Sequence, residues 1–385
     1  MAKIGILHYS CPPVRGGVEE IIRHHTRLLV EHGHTVRVIA GQGKPFNPDA
    51  EFAFISEASS NPTGSPEQLR AVLRENLPLD DLDIIIAHNI FTMPFNLGLT
   101  WALWEMAFER PTIAWCHDAA YLDPTYHLPP PDREPYSFLA KAHPQAVYVA
   151  ISEYRKRVIG ELLGTDMLVV PDGIEVAETL GLPAEIASWA REVGVLDADL
   201  VALSPVRLTP RKNLELAIGL VGEMNRAGEK TFLLITGPGD PHNPSFAGYR
   251  DILASVAREY GAGDRVRFLA QEIGDLPNLV PLFLLSDFLL LTSRMEGFGL
   301  PAIEAAMFRM PAVLSDIPPL REIAGGLQTA LFVDLETDLA VGARCVLDFL
   351  NAQPSLVARK RTRERFGWNS IYANHIEPLL RDILS

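Results

Sequence analysis

Residues 3 to 40 read KIGILHYSCPPVRGGVEEIIRHHTRLLVEHGHTVRVIA, and the fold follows from this stretch. Lys3 to Tyr9 is a short β-type apolar run, and Cys11 to Gly17 is a loop rich in proline and glycine. Val18, Ile21, Ile22, His25, Leu28 and Leu29 then recur on one face of a helix. Gly33 stands where a left-handed residue would end that helix, and His34 to Ala40 reads as the next strand. The stretch is a βαβ unit, which predicts two parallel strands joined by a crossover helix.

Working outward, similar runs recur at Asp83 to Ala87, Thr112 to Trp115, Val147 to Ile151 and Leu168 to Val170. The turn signal Pro171-Asp172-Gly173 closes this series, and alternation restarts at Asp199 to Val206. Further strands are predicted at Thr231 to Thr236, Val266 to Leu269, Phe288 to Leu291, Ala312 to Leu314 and Ala330 to Val333. The expected class is α/β, with two Rossmann-like, doubly wound parallel-sheet domains facing across a cleft. The expected boundaries are 1–175, with a C-terminal crossover helix at 368–385, and 176–367. In open α/β sheets ligands bind outside the carboxyl ends of the strands, so the loops after strands are where chemistry is expected.

Composition narrows the function classes. The 385 residues carry 34 Lys and Arg against 48 Asp and Glu, a net charge of −14, and 48% are hydrophobic. That excludes disorder and small disulfide scaffolds, and the acidity opposes general nucleic-acid binding. Cys11, Cys116 and Cys345 show no metal-ligand spacing and are expected to be buried free thiols. Leu279 to Leu291, broken by Ser286 and Asp287, is too short to span a bilayer, and the N-terminus has no signal-peptide apolar segment. A cytoplasmic location is expected.

Three loops could carry chemistry. Gly16 and Gly17, before Val18 and Glu19, could let backbone N–H groups approach an anion or a sugar, or could equally form a tight turn needing φ > 0. Arg207 and Lys212 follow a strand and could clamp a diphosphate, the arginine by paired donors and the lysine as a point charge; otherwise they are solvated surface charges. In the third loop, from Ser293 to Glu304, Pro301 fits the start of a helix whose free N–H groups at Gly299 to Ala302 would attract phosphate. Glu304, one turn in, could accept hydrogen bonds from ribose hydroxyls, or merely complement the helix dipole; Glu296 could hold sugar hydroxyls or be an exposed loop charge.

At this point the chain resembles the retaining GT-B glycosyltransferases of family 4, which transfer a sugar from a nucleotide diphosphate sugar. The resemblance rests on an ordered set: GGVE at Gly16 to Glu19, HD at His117 and Asp118, AISEYRKR at Ala150 to Arg157, VVPDGI at Val169 to Ile174, RLTPRKN at Arg207 to Asn213, EGFGLPAIEAA at Glu296 to Ala306, and SDIPPLREIAGG at Ser315 to Gly326. It implies that Arg207 and Lys212 bind the diphosphate, that Phe298, Gly299 and Leu300 give backbone donors to the distal phosphate, and that Glu304 holds the ribose. It further implies that Glu296 contacts the donor sugar, that His117 lies near the sugar and the reacting bond, that Gly17 approaches from the opposite wall of the cleft, and that Trp368 and the final helix, Ile371 to Leu384, cross back onto the first domain. Two departures stand out. Val206 replaces a glycine common before the arginine, and Arg309 replaces one common after the helix.

The implied reaction is the retaining transfer of a UDP- or GDP-linked hexose to an unidentified acceptor, with no cofactor and no metal. The SDIP segment resembles mannosyltransferases. A sugar-nucleotide epimerase of the same architecture is the alternative, and an idle nucleotide-sugar binder is a third. Asp81-Leu82-Asp83 reads as a helix-to-strand loop, at the wrong end of its strand for a metal-binding motif. Arg155 to Arg157, with Arg15, Arg23, His24, His25 and Arg27, would suit peripheral contact with a membrane carrying a lipid-linked acceptor, although a solvated helix face is the simpler reading. The proline-rich loop Tyr121 to Pro135 is a candidate wall of the acceptor pocket or a rigid connection.

Overall fold

The structure, a computed structural model, describes residues 1–237, 248–274 and 276–385. The chain divides into two compact units: the first holds Met1–Gly173 and Trp368–Ser385, the second Ile174–Gly367.

The first unit is built on a sheet of seven strands: β1 (Lys3–His8), β2 (Thr35–Ala40), β3 (Glu51–Phe54), β4 (Ile84–His88), β5 (Thr112–Cys116), β6 (Val147–Ala150) and β7 (Leu168–Val169). Their order is β3-β2-β1-β4-β5-β6-β7, with parallel pairing throughout. The central strands are apolar without interruption because both faces are covered. Ile4, Ile6, Ile84 and Ile86 point to one face, where they meet Ile22, Leu28 and Leu29 of the helix Gly17–Glu31. Leu7, Ile85 and Ala87 point to the other. Trp368, Ile371, Tyr372 and Ile376 join the first of these clusters, so residues from far along the chain complete this unit's core. Their path is a helical turn at Trp368–Ile371, a π turn at Tyr372–Ile376 and the helix Glu377–Leu384.

The second unit carries six parallel strands: β8 (Leu200–Ser204), β9 (Thr231–Ile235), β10 (Val266–Phe268), β11 (Phe288–Leu291), β12 (Ala312–Ser315) and β13 (Ala330–Val333). Their order, β10-β9-β8-β11-β12-β13, repeats the doubly wound pattern. Each sheet therefore has one point where strand order reverses, between β1 and β4 in one and between β8 and β11 in the other. At the amino ends of β8 and β11, buried Asp287 accepts from Val201 N–H at 2.9 Å and pairs with Arg363 at 2.8 Å and Arg359 at 3.2 Å. Both arginines lie on the helix Pro354–Phe366. A buried carboxylate tolerates its desolvation only with such partners, so this helix is integral to the unit.

Several expectations need correction. β3 is absent from the predicted set: it is a short edge strand, partly exposed, whose residues show no clean apolar alternation. The strands expected at Asp199 to Val206 and Val266 to Leu269 are shorter at their ends, and Leu269 instead opens a helical turn. Cys11 and Cys116 are buried, but Cys345 is exposed on the outer side of the helix Leu339–Asn351. Among the described residues no helix is long and apolar enough to cross a membrane.

Candidate functional site

The two groups of candidate residues stand at the two reversal points, each in its own unit. In the second unit β8 runs out into Pro205 and Arg207, and a short 3-10 turn at Pro210–Lys212 leads to Asn213, which caps the helix Leu214–Arg226 with a left-handed φ of 49°. β11 runs out into Thr292 and Ser293. Thr292 Oγ1 donates to the Asn213 carbonyl at 2.8 Å, and Arg294 donates to Asn213 Oδ1 at 3.0 Å, which fixes the two loops against each other.

That bracing brings Lys212 and Glu296 together. Lys212 Nζ donates to Glu296 Oε1 at 2.6 Å, and Ser293 Oγ donates to the same oxygen at 2.6 Å. Both side chains of the ion pair are about nine-tenths covered, at 11% and 9% exposure. Ser293 is itself held through its carbonyl, which accepts from Ser315 Oγ at 2.6 Å. The pair is thus preorganised in a partly desolvated position, where charge interactions are stronger than at an open surface. Arg207 is different. It is exposed, and no carboxylate among the described residues pairs with it.

Gly299 caps the helix Leu300–Met307 at a φ of 94°, a left-handed conformation that favours glycine, and a Cβ there would come within 2.6 Å of Leu320 Cδ2 and oblige that side chain to shift. The helix begins at Leu300 with Pro301 in second place, and no side chain caps its free N–H groups. Phe298 and Leu300 are exposed around this end. Glu304 lies one turn in, exposed and with no partner among the described residues. It falls beyond the first turn, which weakens its reading as a dipole-compensating carboxylate. Arg309 follows with a φ of 55°, a left-handed conformation that costs a side-chain-bearing residue about 1 kcal/mol. Glycine is favoured at such a position for conformational reasons, and Arg309 leaves the loop chemistry untouched.

In the first unit, β1 ends at His8, β4 at His88, and β5 at Cys116, immediately before His117. Parallel register aligns these ends and brings three imidazoles into a row. His8 Nδ1 donates to the His88 carbonyl at 2.8 Å, His88 Nδ1 lies 3.1 Å from His117 Nε2, and His117 Nδ1 lies 3.7 Å from Asp172 Oδ2. His25 packs edge-on against Trp115 at 4.6 Å and Trp368 at 5.5 Å. Burial pushes the His8 imidazole down to about 4 and His25 to about 3, and holds His88 well below the usual histidine range. Asn89, with a φ of 57°, accepts at Oδ1 from the backbone N–H of His117 at 2.7 Å and of Asp118 at 3.2 Å. It thereby holds the turn that carries His117.

Sequence reasoning named His117 for the site but missed His8, His88 and Asn89, and it read His25 as part of a helix face and Asp172 as part of a turn without giving either a place beside His117. Strand-end position was the usable signal for His8 and His88, since both close strands beside the reversal point. Gly16 needs a different explanation from the expected turn. Its φ of −172° is extended backbone, and a Cβ there would fall 2.1 Å from the carboxylate of Glu19, which is buried and accepts from Ser10 Oγ at 2.5 Å. At Gly17 a Cβ would meet nothing within 4 Å, so packing does not demand glycine there.

Most of the basic residues are paired or buried, while Arg15 and Arg157 are exposed with no carboxylate partner among the described residues. Arg155 pairs with Asp118 at 2.6 Å, Lys156 with Asp166 at 3.0 Å, Arg23 with Glu20 and Arg27 with Glu31, while His24 and His25 are buried against Trp368. Asp81 is engaged by Lys3 and Arg37, and Asp83 accepts from the Lys3 N–H at 2.7 Å, so both carboxylates brace the amino end of the sheet. In the proline-rich loop Tyr121 donates to the Pro129 carbonyl at 2.6 Å, which closes the loop on itself.

Comparison with known proteins adds the family. Residues 186–367 match the family model described as glycosyl transferases group 1, and residues 15–178 match that described as glycosyltransferase family 4, so that the two together span most of the chain. The chain is 28% identical over 230 residues to a D-inositol 3-phosphate glycosyltransferase of Nocardia farcinica, covering 58% of this chain and 47% of that protein. It is 25% identical over 365 residues to a mannosylglucosylglycerate synthase of Thermotoga maritima, covering 82% and 83%. The match therefore spans about half the length of the first relative and most of the second. Among solved structures, sucrose-phosphate synthase from Thermosynechococcus elongatus aligns over 100% of this chain and 99% of its own at 18% identity, with a TM-score of 0.41.

Proposed function

This chain belongs to the family 4 glycosyltransferases of GT-B fold, and from that premise we propose that it transfers a hexose from a UDP- or GDP-linked donor to an acceptor with retention of anomeric configuration. The observation that carries this reading is the second unit's reversal point, where Arg207, the Lys212–Glu296 pair and the uncapped helix end at Gly299 and Leu300 stand on adjoining loops. Cations and free N–H groups there suit a diphosphate.

In this reading Arg207 and Lys212 clamp the diphosphate, and the N–H groups of the Phe298–Leu300 segment receive its distal phosphate. Glu304 accepts from ribose hydroxyls and Glu296 from the donor sugar. Gly16 and Gly17 offer a backbone surface to the donor, which suits the open space around Gly17. The bond from the anomeric carbon to the diphosphate oxygen breaks with its electron pair leaving on the phosphate. The acceptor oxygen attacks the same face of the carbon, and its proton passes to the departing phosphate. His117 positions the sugar and stabilises the charge developing in the transition state. GDP-mannose and UDP-glucose are the first donors to try, and the mannosyl name of one relative supports including a mannose donor. Neither those relatives nor the geometry favours the epimerase.

The test is nucleoside diphosphate release from UDP- and GDP-hexoses, with proton NMR of the product's anomeric centre. Retention is expected, and an inverted product would overturn the mechanism. In the same assay His117→Ala is expected to lower turnover by more than it weakens donor binding, because contacts made chiefly in the transition state appear in the rate. Normal turnover of that variant would return His117 to a structural role. Turnover is also expected to persist in EDTA, since a cationic pair and a helix end supply the positive potential for the leaving group. Activity abolished by chelator and restored by Mg²⁺ or Mn²⁺ would reject that account.

A further inference from the structure

We propose that His88 and Asp172 are positioning residues for His117, together fixing its ring orientation and placing its proton on Nδ1. The inference rests on the reading of His117 given above and extends it to two residues for which the family motifs supply no role.

Hydrogen-bond inventory leads to this tautomer. The carboxylate of Asp172 can only accept, and although its 3.7 Å separation from His117 Nδ1 is longer than a hydrogen bond, its negative charge favours hydrogen on that nitrogen, the one facing it. Asp172 Oδ1 is buried with no hydrogen-bond partner, and among the described residues His117 is the only cation-capable group beside this carboxylate. A neutral His117 protonated at Nδ1 has a lone pair at Nε2, and that atom faces His88 Nδ1 at 3.1 Å. His88 must therefore donate from Nδ1. Its own Nε2 is then a bare lone pair, consistent with a buried atom that has no partner.

His88 is in turn held from three sides. Its carbonyl receives the N–H of His8, its ring lies 5.3 Å from that of His25 and 5.6 Å from Trp115, and it stacks on His117 at 5.4 Å with 24° between the planes. Packed this way it has no room to turn. Surrounded by imidazoles and buried, it stays neutral, which lets one nitrogen serve His117 as a donor. A ring that must meet a sugar in one orientation gains from such bracing, since a displacement of an ångström costs rate.

The experiment uses the full chain with uniformly ¹⁵N-labelled histidine, assigned by His117→Gln. The wild type is expected to show His117 with a pyrrole-like Nδ1 and a pyridine-like Nε2. His88→Phe keeps the ring volume without the donor, and His88→Asn restores a donor near the Nδ1 position. Loss of the tautomer signature is expected in His88→Phe, with turnover of UDP-glucose or GDP-mannose hydrolysis falling roughly ten- to a hundredfold at nearly unchanged KM. Partial recovery of both is expected in His88→Asn. A pyrrole-like Nε2 in the wild type overturns the inference irrespective of how either variant folds. So does wild-type turnover in His88→Phe when His117→Ala is impaired, and that outcome leaves the role of His117 standing. Normal turnover in His117→Ala would overturn both.

Discussion

Lowering the pH from 7 to about 4.5 is expected to unfold the first unit, with a loss on the order of 5 kcal/mol from two histidines alone. His8 and His25 are folded in neutral form at about 4 and about 3, against about 6.5 in an unfolded chain. Below 6.5 the unfolded chain binds protons that these two sites refuse. Stability present above 6.5 is therefore lost as pH falls toward the folded values, at about 1.4 kcal/mol per unit for each group. At pH 4.5 each has titrated through about two units in the unfolded chain while remaining mostly neutral in the fold, and His88 adds in the same direction. A loss of this size is comparable with the whole stability of an ordinary domain. The readout is intrinsic fluorescence, since Trp101, Trp104, Trp115 and Trp368 belong to the first unit and only Trp189 to the second. His25→Leu is expected to weaken the acid transition. Denaturant midpoints that agree at pH 7 and pH 4.5 would show that protons reach these imidazoles without unfolding.

Replacing Arg207 or Lys212 with alanine is expected to weaken UDP and GDP binding by roughly ten- to over a hundredfold, the loss of charge-assisted hydrogen bonds worth about 1.5 to 3 kcal/mol. The structure makes the two cases unequal. Arg207 stands free of carboxylates among the described residues, so its removal subtracts a contact and little else. Lys212 is already paired with Glu296 at 2.6 Å. Removing it leaves a covered carboxylate facing the anion, so Lys212→Ala should be the more damaging, and Lys212→Ala with Glu296→Gln should recover part of the loss. Two neighbouring residues sharing a partner are not additive, and that coupling is the signature to measure by titration calorimetry. Unchanged affinity in both single variants would dismiss the clamp.

The parallel sheets were legible in advance because strands buried on both faces leave uninterrupted apolar runs such as Ile84 to Ala87 and Phe288 to Leu291. β3 was not, because an edge strand exposed on one side need not be apolar. In the candidate site, Arg207, Lys212 and the Gly299 helix end could be located because they directly follow strands. The Lys212–Glu296 pair could not, since it depends on Thr292 and Arg294 bracing two loops 80 residues apart in sequence. The histidine row was hidden for a similar reason: His8, His88 and His117 are scattered along the chain, and only parallel register aligns them. Charge was the least legible property. Arg155 and Lys156 read as a basic face, yet each has a carboxylate partner contributed by a different segment, Asp118 and Asp166.

The discontinuity of the first unit has a consequence for biosynthesis. Its strands are all made before the second unit begins, yet His24 and His32 lack the aromatic rings that stack on them until Trp368 and Tyr372 arrive. The second unit likewise leaves Asp287 without its counter-ions until Arg359 and Arg363 have been added. On the ribosome, therefore, the half of the protein translated first is the half completed last. It must wait with one face of its sheet partly bare while nearly two hundred further residues are translated and emerge.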